Sequence, residues 1–205
     1  MFHVKHEGWA DESEALGVDL PAGAGERLDR YEQLLLERGA PMGIVAPGDL
    51  PRLHERHLLD CLRAAPLAAG ARTAYDLGSG GGLPGMVIAI AHPDLAITLV
   101  DVRRNRAAFL EVVVSELGLE HVSVYPRRAE TLKVRVDLCL ARAFKPAATA
   151  WAMAAPLLAP DGGKLIYWAG ETFEPDSDGP SGASVALFRT PALARSGPLA
   201  IMTPQ

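Results

Sequence analysis

The residues best suited to chemistry lie in the stretch DLGSGGGLPG, from Asp76 to Gly85. Five of its ten residues are glycines, so the chain can turn sharply there and a ligand can approach the bare peptide groups. A glycine turn between a strand and a helix is the place where parallel sheets bind nucleotides. An acid about 20 residues later would hold the ribose hydroxyls, and Asp101 follows Gly82 by 19 residues, at the end of the apolar run ITLVD. The pattern predicts a site for an adenosine derivative.

Two cofactor classes compete for such a turn. Gly80, Gly82 and Gly85 align with the GxGxxG of dinucleotide enzymes, in which the turn receives a pyrophosphate. The glycine directly after the strand is Gly78, however, and that register puts Leu83 at the third glycine position. An acid followed by GxGxG describes the same residues and resembles the first motif of S-adenosylmethionine-dependent methyltransferases. The ligand there carries a sulfonium cation and no pyrophosphate, which a carboxylate would repel. S-adenosylmethionine is therefore favoured, while a dehydrogenase and a purely structural turn remain alternatives.

The surrounding sequence predicts the elements that position this turn. Short apolar runs alternate with helical spacing, which indicates βαβ units and a parallel sheet. The predicted strands are 73–77, 96–101, 121–125, 136–140, 164–169, 184–189 and 199–203, and the helices among them are 84–91, 104–117 and 146–158. The last two strands are joined by too short a connection for a crossover helix and should be antiparallel. We predict an α/β, Rossmann-like fold with a seven-stranded, mostly parallel sheet.

The N-terminal third has a different organisation. Helical spacing over 26–38 and 50–65 predicts two helices, so we assign a helical extension to 26–70 and the α/β core to 71–205, together one domain. Residues 1–25, lacking an apolar period, are predicted to form a mobile arm without core residues. No apolar run reaches the roughly 20 residues of a membrane helix, and the N-terminus has no apolar signal core, which predicts a cytoplasmic protein without a membrane partner.

Cysteine, histidine and charge content limit the remaining chemistry. Cys61 and Cys139 lack CxxC spacing and are predicted to be buried, reduced thiols. His54 and His57 have metal-site spacing but no third ligand, so we predict no metal site. The formal net charge of -5 argues against binding nucleic acid by bulk electrostatics alone. The basic residues between 103 and 135 nevertheless permit a local basic surface. The alternative is that they are ordinary solvated charges on helices and loops.

Five motifs together resemble the ribosomal RNA small subunit methyltransferase G family, also called glucose-inhibited division protein B. They are RHLLDC (56–61), DLGSGGGLPG (76–85), LVDVRRNRAAFL (99–110), RRAE (127–130) and ARAF (141–144), and the resemblance runs from about residue 26 to 170. It implies a class I fold dependent on S-adenosylmethionine, with an N-terminal helical addition. The implied activity is methylation of a guanine N7 in 16S ribosomal RNA, within the small ribosomal subunit or an assembly intermediate.

The resemblance also implies roles for individual residues. Gly78, Gly80 and Leu83 would contact the cofactor from the glycine turn, and Asp101 would face its ribose. The other implied cofactor contacts are Ala129 and Glu130 beside the adenine and Arg142 at the end of the fourth strand. Each has a plainer alternative, which for Arg142 is pairing with a nearby carboxylate. His57 and Asp60 lie three apart on one helix face, which suits an acid/base pair, although the resemblance favours a structural role near the cofactor.

The implied reaction needs no catalytic base, because guanine N7 carries an available lone pair and the methyl donor is already activated. We therefore nominate no catalytic residue and expect positioning to supply much of the rate enhancement. Arg103, Arg104 and Arg106 are the candidate contacts to RNA phosphates.

The chain departs from the family pattern in three places. Ala169 stands where a lysine usually precedes Gly170, Asn105 stands where a lysine is frequent, and residues 171–183 are acidic, rich in Gly and Pro, and predicted to lack a helix. These changes bear on RNA affinity more than on cofactor binding. A small-molecule methyltransferase of the same ancestry and a non-catalytic S-adenosylmethionine-binding module remain the alternative functions.

Overall fold

A seven-stranded sheet forms the centre of the protein in a computed structural model that describes residues 8–193 and 196–205. Its strands are β1 (Thr73–Leu77), β2 (Ala96–Val100), β3 (Val122–Tyr125), β4 (Leu138–Ala141), β5 (Lys164–Trp168), β6 (Ala183–Phe188) and β7 (Leu199–Pro204). Their order across the sheet is β3-β2-β1-β4-β5-β7-β6. The first five strands pair in parallel, and β7 runs antiparallel to both β5 and β6. The predicted fold class and the antiparallel final pair are confirmed.

Helices cover both faces of the sheet, which explains why the central strands read as continuous apolar runs. The strand β4, with the sequence LCLA, is buried at every residue. One face carries α5 (Gly85–Ala91) and α6 (Arg104–Leu117) together with the N-terminal helices, and the other carries α7 (Ala147–Ala154). The segment 171–183, predicted to lack a helix, contains the four-residue helix α8 (Pro175–Asp178). The prediction that this segment lacks a helix was therefore wrong, although the helix is only one turn long. The proline at its first position favours a helix start there.

The helical extension packs directly on the glycine turn. It consists of α2 (Ala24–Leu34) with a π-helical turn (Leu35–Gly39), a 3-10 turn (Leu50–Arg52), a π-helical stretch (His54–Leu59), α3 (Asp60–Leu62) and α4 (Ala65–Ala68). The buried Tyr31 hydroxyl donates to the Gly81 carbonyl at 2.8 Å. A Cβ on Gly81 would lie 2.7 Å from a methyl of Ile44, and one on Gly82 would lie 2.9 Å from the Tyr31 hydroxyl. Glycine is therefore required at these two positions by the close approach of the extension.

Residues 9–25 correct the expectation of an arm without core residues. They contain the helix α1 (Trp9–Ala15), whose Trp9 is 6% exposed and donates its indole N–H to Asp29 at 2.7 Å. Leu16 and Val18 also belong to the main apolar cluster. The apolar residues that dock in this segment are few and unevenly spaced, so they have no helical period and the sequence pattern did not reveal them. The remainder of the predicted arm, 1–7, lies outside the described residues.

His54 joins three elements of the extension. Its Nε2 lies 2.8 Å from Glu12 of α1, its Nδ1 lies 3.2 Å from Glu32 of α2, and its ring centroid is 4.6 Å from that of Trp9. Burial alone would lower the pKa of His54, but the two glutamates more than offset this, so its pKa is raised. The charged imidazole is therefore stabilised between the two carboxylates.

The cysteines, the possible metal ligands and the apolar helices are next considered in the part of the chain that the structure describes. Cys61 and Cys139 are free and buried as predicted, and burial raises the pKa of both thiols, that of Cys61 to about 12. Within residues 8–193 and 196–205, no three His, Cys, Asp or Glu side chains form a group that could hold a metal ion. No helix in that same part is long and apolar enough to cross a membrane.

His54→Gln should make the stability of the protein less dependent on pH. A histidine whose pKa is raised by folding contributes stability that is fully present below its unfolded pKa of about 6.5 and is lost as the pH rises through the folded value. The free energy of unfolding of the wild type should therefore exceed that of the variant most at about pH 5.5 and least at about pH 9. Denaturant titrations at both pH values measure this, and an equal difference at both would contradict it.

Tyr31→Phe should destabilise the protein by about 1–3 kcal/mol, because it leaves the Gly81 carbonyl without its buried donor. Tyr125→Phe is the matched control, since that hydroxyl makes an exposed hydrogen bond to Thr131 at 2.9 Å and its loss should change stability little. Urea unfolding of the three proteins tests the difference. Equal stabilities for the two variants would show that the extension does not hold the turn through Tyr31.

Candidate functional site

A cleft of about 360 Å³ lies at the carboxyl ends of the parallel strands. The strand order reverses between β1 and β4, and such switch points are where open parallel sheets bind ligands. The lining comes from the glycine turn, the end of β2, the start of α6, the loops after β3 and β4, and α7. It comprises residues 78, 100–103, 106, 127–130, 143–145 and 153.

The glycine turn is held in shape by the neighbouring strand β2. The amides of Gly78 and Ser79 both donate to the Val100 carbonyl, at 2.9 and 3.0 Å. The Ser79 hydroxyl donates to the Asp76 carbonyl at 2.8 Å and accepts the Val100 N–H at 2.9 Å. Gly78 has φ +74° and lines the cleft, and a side chain there would overlap the ring of Phe144. The turn therefore presents a bare α-carbon to the cleft.

Asp101 links the turn to the first residues of α6. It is 6% exposed, and its Oδ2 accepts the Gly80 N–H at 3.0 Å while its Oδ1 accepts the Arg103 N–H at 2.9 Å. The Arg106 guanidinium lies 3.6 Å from Oδ2. Asp101 lines the cleft, and each carboxylate oxygen has a further lone pair for a ligand hydroxyl.

Asp76, the acid within the strand, is turned into the protein instead of lining the cleft. It is fully buried, and its Oδ2 accepts the Gly85 N–H at 3.0 Å, so it holds the start of α5 against β1. Its Oδ1 has no hydrogen-bond partner among the described residues. Burial raises the pKa of Asp76 to about 7, an effect that the Gly85 hydrogen bond opposes.

The other predicted site residues divide into two groups. Ala129, buried, and Glu130, exposed, line the cleft from a short turn (Ala129–Thr131), as do Arg103 and Arg106 from the start of α6. The predicted residues outside the lining are Gly80, Leu83, Arg104 and Arg142. Of these, Leu83 packs on the main apolar cluster.

Arg142 extends towards the helical extension and pairs with a carboxylate, the alternative that the sequence left open. Its Nε donates to Asp60 Oδ2 at 3.1 Å, and its Nη2 lies 2.9 Å from His57 Nδ1. Burial lowers the pKa of His57, and the positive Arg142 lowers it further. His57 and Asp60 are thus joined through Arg142, an arrangement that supports the structural role implied by the resemblance.

Asp60 is shared between two arginines. Its Oδ1 accepts Arg63 Nε at 2.9 Å, and Arg63, only 2% exposed, also donates to the Gly197 carbonyl at 2.9 Å. The Trp168 indole donates to the Asp60 carbonyl at 3.1 Å. This buried network connects the extension to the ends of β4, β5 and β7, and so to the loop that closes one side of the cleft.

Several lining residues were not predicted as site residues. Val102 is 55% exposed in the cleft and follows Asp101 directly, so an apolar residue after the strand-end acid was the available signal. Phe144 and Lys145 follow Arg142, and Met153 lies on α7. The lining contains five basic residues and two acidic ones; the basic residues are Arg103, Arg106, Arg127, Arg128 and Lys145.

Comparison with known proteins agrees with this geometry. Residues 24–176 match the family model described as rRNA small subunit methyltransferase G. The chain is 40% identical over 163 residues to a ribosomal RNA small subunit methyltransferase G from Thermobifida fusca, covering 78% of this chain and 66% of that protein. It is 43% identical over 147 residues to the one from Nocardioides sp., covering 69% and 59%. The matched region thus spans less than two thirds of these relatives.

A solved structure shares the fold. A mutant of MtNAS in complex with S-adenosylmethionine is 18% identical, with a TM-score of 0.56 over 88% of this chain and 73% of that one. The family model matches this chain from the helical extension to just beyond β5, including the glycine turn and every residue that lines the cleft. The chain therefore belongs to the rRNA small subunit methyltransferase G family.

Proposed function

We propose that this protein transfers a methyl group from S-adenosylmethionine to N7 of a guanine in 16S ribosomal RNA, in the cytoplasm, acting on the small subunit or an assembly intermediate. The observation that carries this proposal is a nucleoside-sized cleft at the switch point of the sheet, lined by five basic residues in a chain of net charge -5. Family membership supports the same reaction class.

The residues of the cleft fit the cofactor. A volume of about 360 Å³ is within the usual range for small-molecule sites. Asp101 and Glu130 offer carboxylate acceptors for ribose hydroxyls and an adenine amine, and Val102, Ala129 and Met153 offer apolar surface. When bound, the cofactor supplies a methyl group activated by positively charged sulfur.

The glycine turn argues against a dinucleotide. A pyrophosphate site needs free backbone amides, but the amides of Gly78 and Ser79 donate to Val100, and that of Gly80 donates to Asp101. Gly82 likewise donates to the Ser79 carbonyl at 2.7 Å. These contacts support the sulfonium cofactor over the dehydrogenase alternative.

The chain's contribution to the reaction is to bind and orient. Guanine N7 attacks with its own lone pair, so no residue has to remove a proton. Three residues that the resemblance assigns to the cofactor lie outside the cleft lining and would act on it indirectly. Gly80 and Leu83 shape the turn, and Arg142 fixes the loop after β4 through Asp60. Rigid placement of both reactants supplies the rate enhancement available from proximity and orientation.

The RNA would be bound by the basic residues around the cleft. Arg103 and Arg106 line it, and Arg104 is exposed at the first turn of α6 beside them. Asn105, which stands in place of a frequent lysine, is exposed on the same turn, whereas Ala169 is buried outside the cleft lining. Arg127, Arg128 and Lys145 supply further cations around the cleft, which compensate for the two lysines that this chain lacks.

A methyltransferase acting on a small molecule is the second candidate, favoured by the acidic net charge and by the loss of those two lysines. The pure protein, labelled S-adenosylmethionine and small ribosomal subunits lacking this modification distinguish the two. Label recovered as 7-methylguanine at one position of the RNA is the expected result. A protein that binds the cofactor but labels neither subunits nor naked RNA would place the small-molecule reaction, or a non-catalytic binding module, first.

Changing Arg103 and Arg104 together to Glu should abolish RNA methylation while leaving cofactor affinity intact, because phosphate contacts dominate binding to nucleic acids. Arg106 is left unchanged because its guanidinium pairs with Asp101 of the proposed cofactor site. Arg189→Glu is the control, since Arg189 is exposed after β6 at the opposite edge of the sheet from β2 and β3. Methylation assays and calorimetric titration of the cofactor measure the two properties. Loss of both in the double variant would indicate misfolding, and retained methylation would exclude these two arginines from RNA binding.

Asp101→Asn should weaken cofactor binding about 10- to 100-fold, because a charged acceptor for the ribose hydroxyls is replaced by a neutral one. The asparagine oxygen can still accept the Gly80 N–H, so the glycine turn should keep its shape, whereas the side-chain NH2 cannot accept the Arg103 N–H and that bond to the start of α6 is lost. Calorimetry with S-adenosylmethionine measures the loss, and Glu111→Gln, at an exposed position on α6, provides the charge-matched control. Unchanged affinity in Asp101→Asn would remove Asp101 from the proposed cofactor site.

A further inference from the structure

Phe144 is the one aromatic side chain among the residues that line the cleft. It follows β4 after Ala143, which has φ +49°, a left-handed conformation that is costly for a residue with a side chain. The Phe144 ring lies against the bare α-carbon of Gly78 and is only partly buried. An unfavourable backbone conformation thus accompanies an aromatic ring that packs at the edge of the second apolar cluster and lines the cleft.

The segment after the ring is fixed in place. The Tyr167 hydroxyl of β5 donates to the Lys145 carbonyl at 3.1 Å, and α7 begins at Ala147 directly after Pro146. On the other side, Arg142 is anchored to Asp60. The ring is therefore held between two anchored residues, as a binding surface requires.

The surroundings of the ring are those of a site for an unpaired base. Proteins recognise single-stranded RNA by stacking bases on aromatic rings while cations contact the backbone. The five basic residues of the lining surround the same cleft as Phe144. The two acidic lining residues, Asp101 and Glu130, are already assigned to the cofactor, which leaves the aromatic ring as the unassigned surface for a base.

We propose that Phe144 is a catalytic residue on which the target guanine stacks during methyl transfer; this inference rests on the proposed function. In the transfer, a bond forms between N7 and the methyl carbon, the carbon–sulfur bond breaks, and its electron pair stays on sulfur. No proton moves in this step, and the guanine ring gains the positive charge that sulfur loses. The face of an aromatic ring attracts a cation, so stacking strengthens as the transition state forms.

Three variants separate stacking from packing. Phe144→Leu keeps an apolar side chain without an aromatic face, and Phe144→Trp keeps and enlarges the face. Phe188→Leu is the matched control, because it makes the same change on β6, outside the cleft lining. For each, methylation of small subunits gives kcat/KM, and calorimetry gives the Kd for S-adenosylmethionine. We expect Phe144→Leu to lower kcat/KM about 10- to 100-fold, the range measured for losing one base–aromatic stack, with little change in cofactor Kd. Phe144→Trp should recover most of the activity that Phe144→Leu loses, and Phe188→Leu should stay close to the wild type.

A second readout does not depend on turnover. In the presence of S-adenosylhomocysteine, the added indole fluorescence of Phe144→Trp should be quenched by 7-methylguanosine monophosphate more strongly than by guanosine monophosphate, because only the former base is a cation. Wild-type protein, which retains Trp9, Trp151 and Trp168, provides the background emission.

The outcomes are distinct. Wild-type kcat/KM in Phe144→Leu, or a parallel loss of cofactor affinity, would overturn the stacking role, the latter by making Phe144 a cofactor contact. If wild-type protein labels neither subunits nor naked RNA, the proposed function fails. The fluorescence preference then decides the stacking role by itself, since equal quenching by both nucleotides would overturn it.

Discussion

The shape of one glycine turn is the constraint on which the cleft depends. Three parts of the molecule hold it: Tyr31 and Ile44 of the extension from one side, Val100 at the end of β2 with the following Asp101 from another, and Asp76 of its own strand from below. Their contacts leave no room for a Cβ at Gly81 or Gly85. A turn fixed from three sides loses little further entropy when it binds a ligand, which is the physical basis of preorganisation. The helical extension is therefore part of the site and not an appendage to it.

The buried charged residues form a second connection between the helical extension and the cleft. Asp60 receives both Arg63 and Arg142, and together they join the extension to the strand ends that close the other side of the cleft. Burying three charges is costly, and an apolar replacement of the same shape is often at least as stable. This network instead fixes the direction in which the chain leaves β4. The fixed guanidinium of Arg142 determines where the chain leaves β4, and Phe144 follows two residues later.

The sequence predicted the parts of the molecule that follow from periodicity and local chemistry. The strand bounds 73–77 and the helix 104–117 agree with the structure, since central parallel strands and an amphipathic helix have strong patterns. Arg142 illustrates what a pattern cannot supply, because its partner Asp60 is 82 residues away and only the folded chain brings them together. Trp9 illustrates the same limit for the core, because docking by isolated side chains has no period. Phe144 stood inside a quoted motif, yet its place in the cleft depends on the backbone conformation of Ala143, which no neighbouring residue type indicates.

The charge of the protein has different consequences at two distances. At physiological ionic strength, charges are screened over about 8 Å, so a phosphate at the cleft interacts with the nearby guanidinium groups and hardly with the net charge of -5. At longer range, the acidic surface gives an arbitrary RNA no attraction, which limits non-specific binding. Under the proposed function, only an RNA that can bring a base and its flanking phosphates into the cleft together would bind tightly. The cations and the aromatic ring of the same cleft would thus act together in recognition. Phe144 would stack only on a base that has been extruded, and the arginines would bind the phosphates that flank that base.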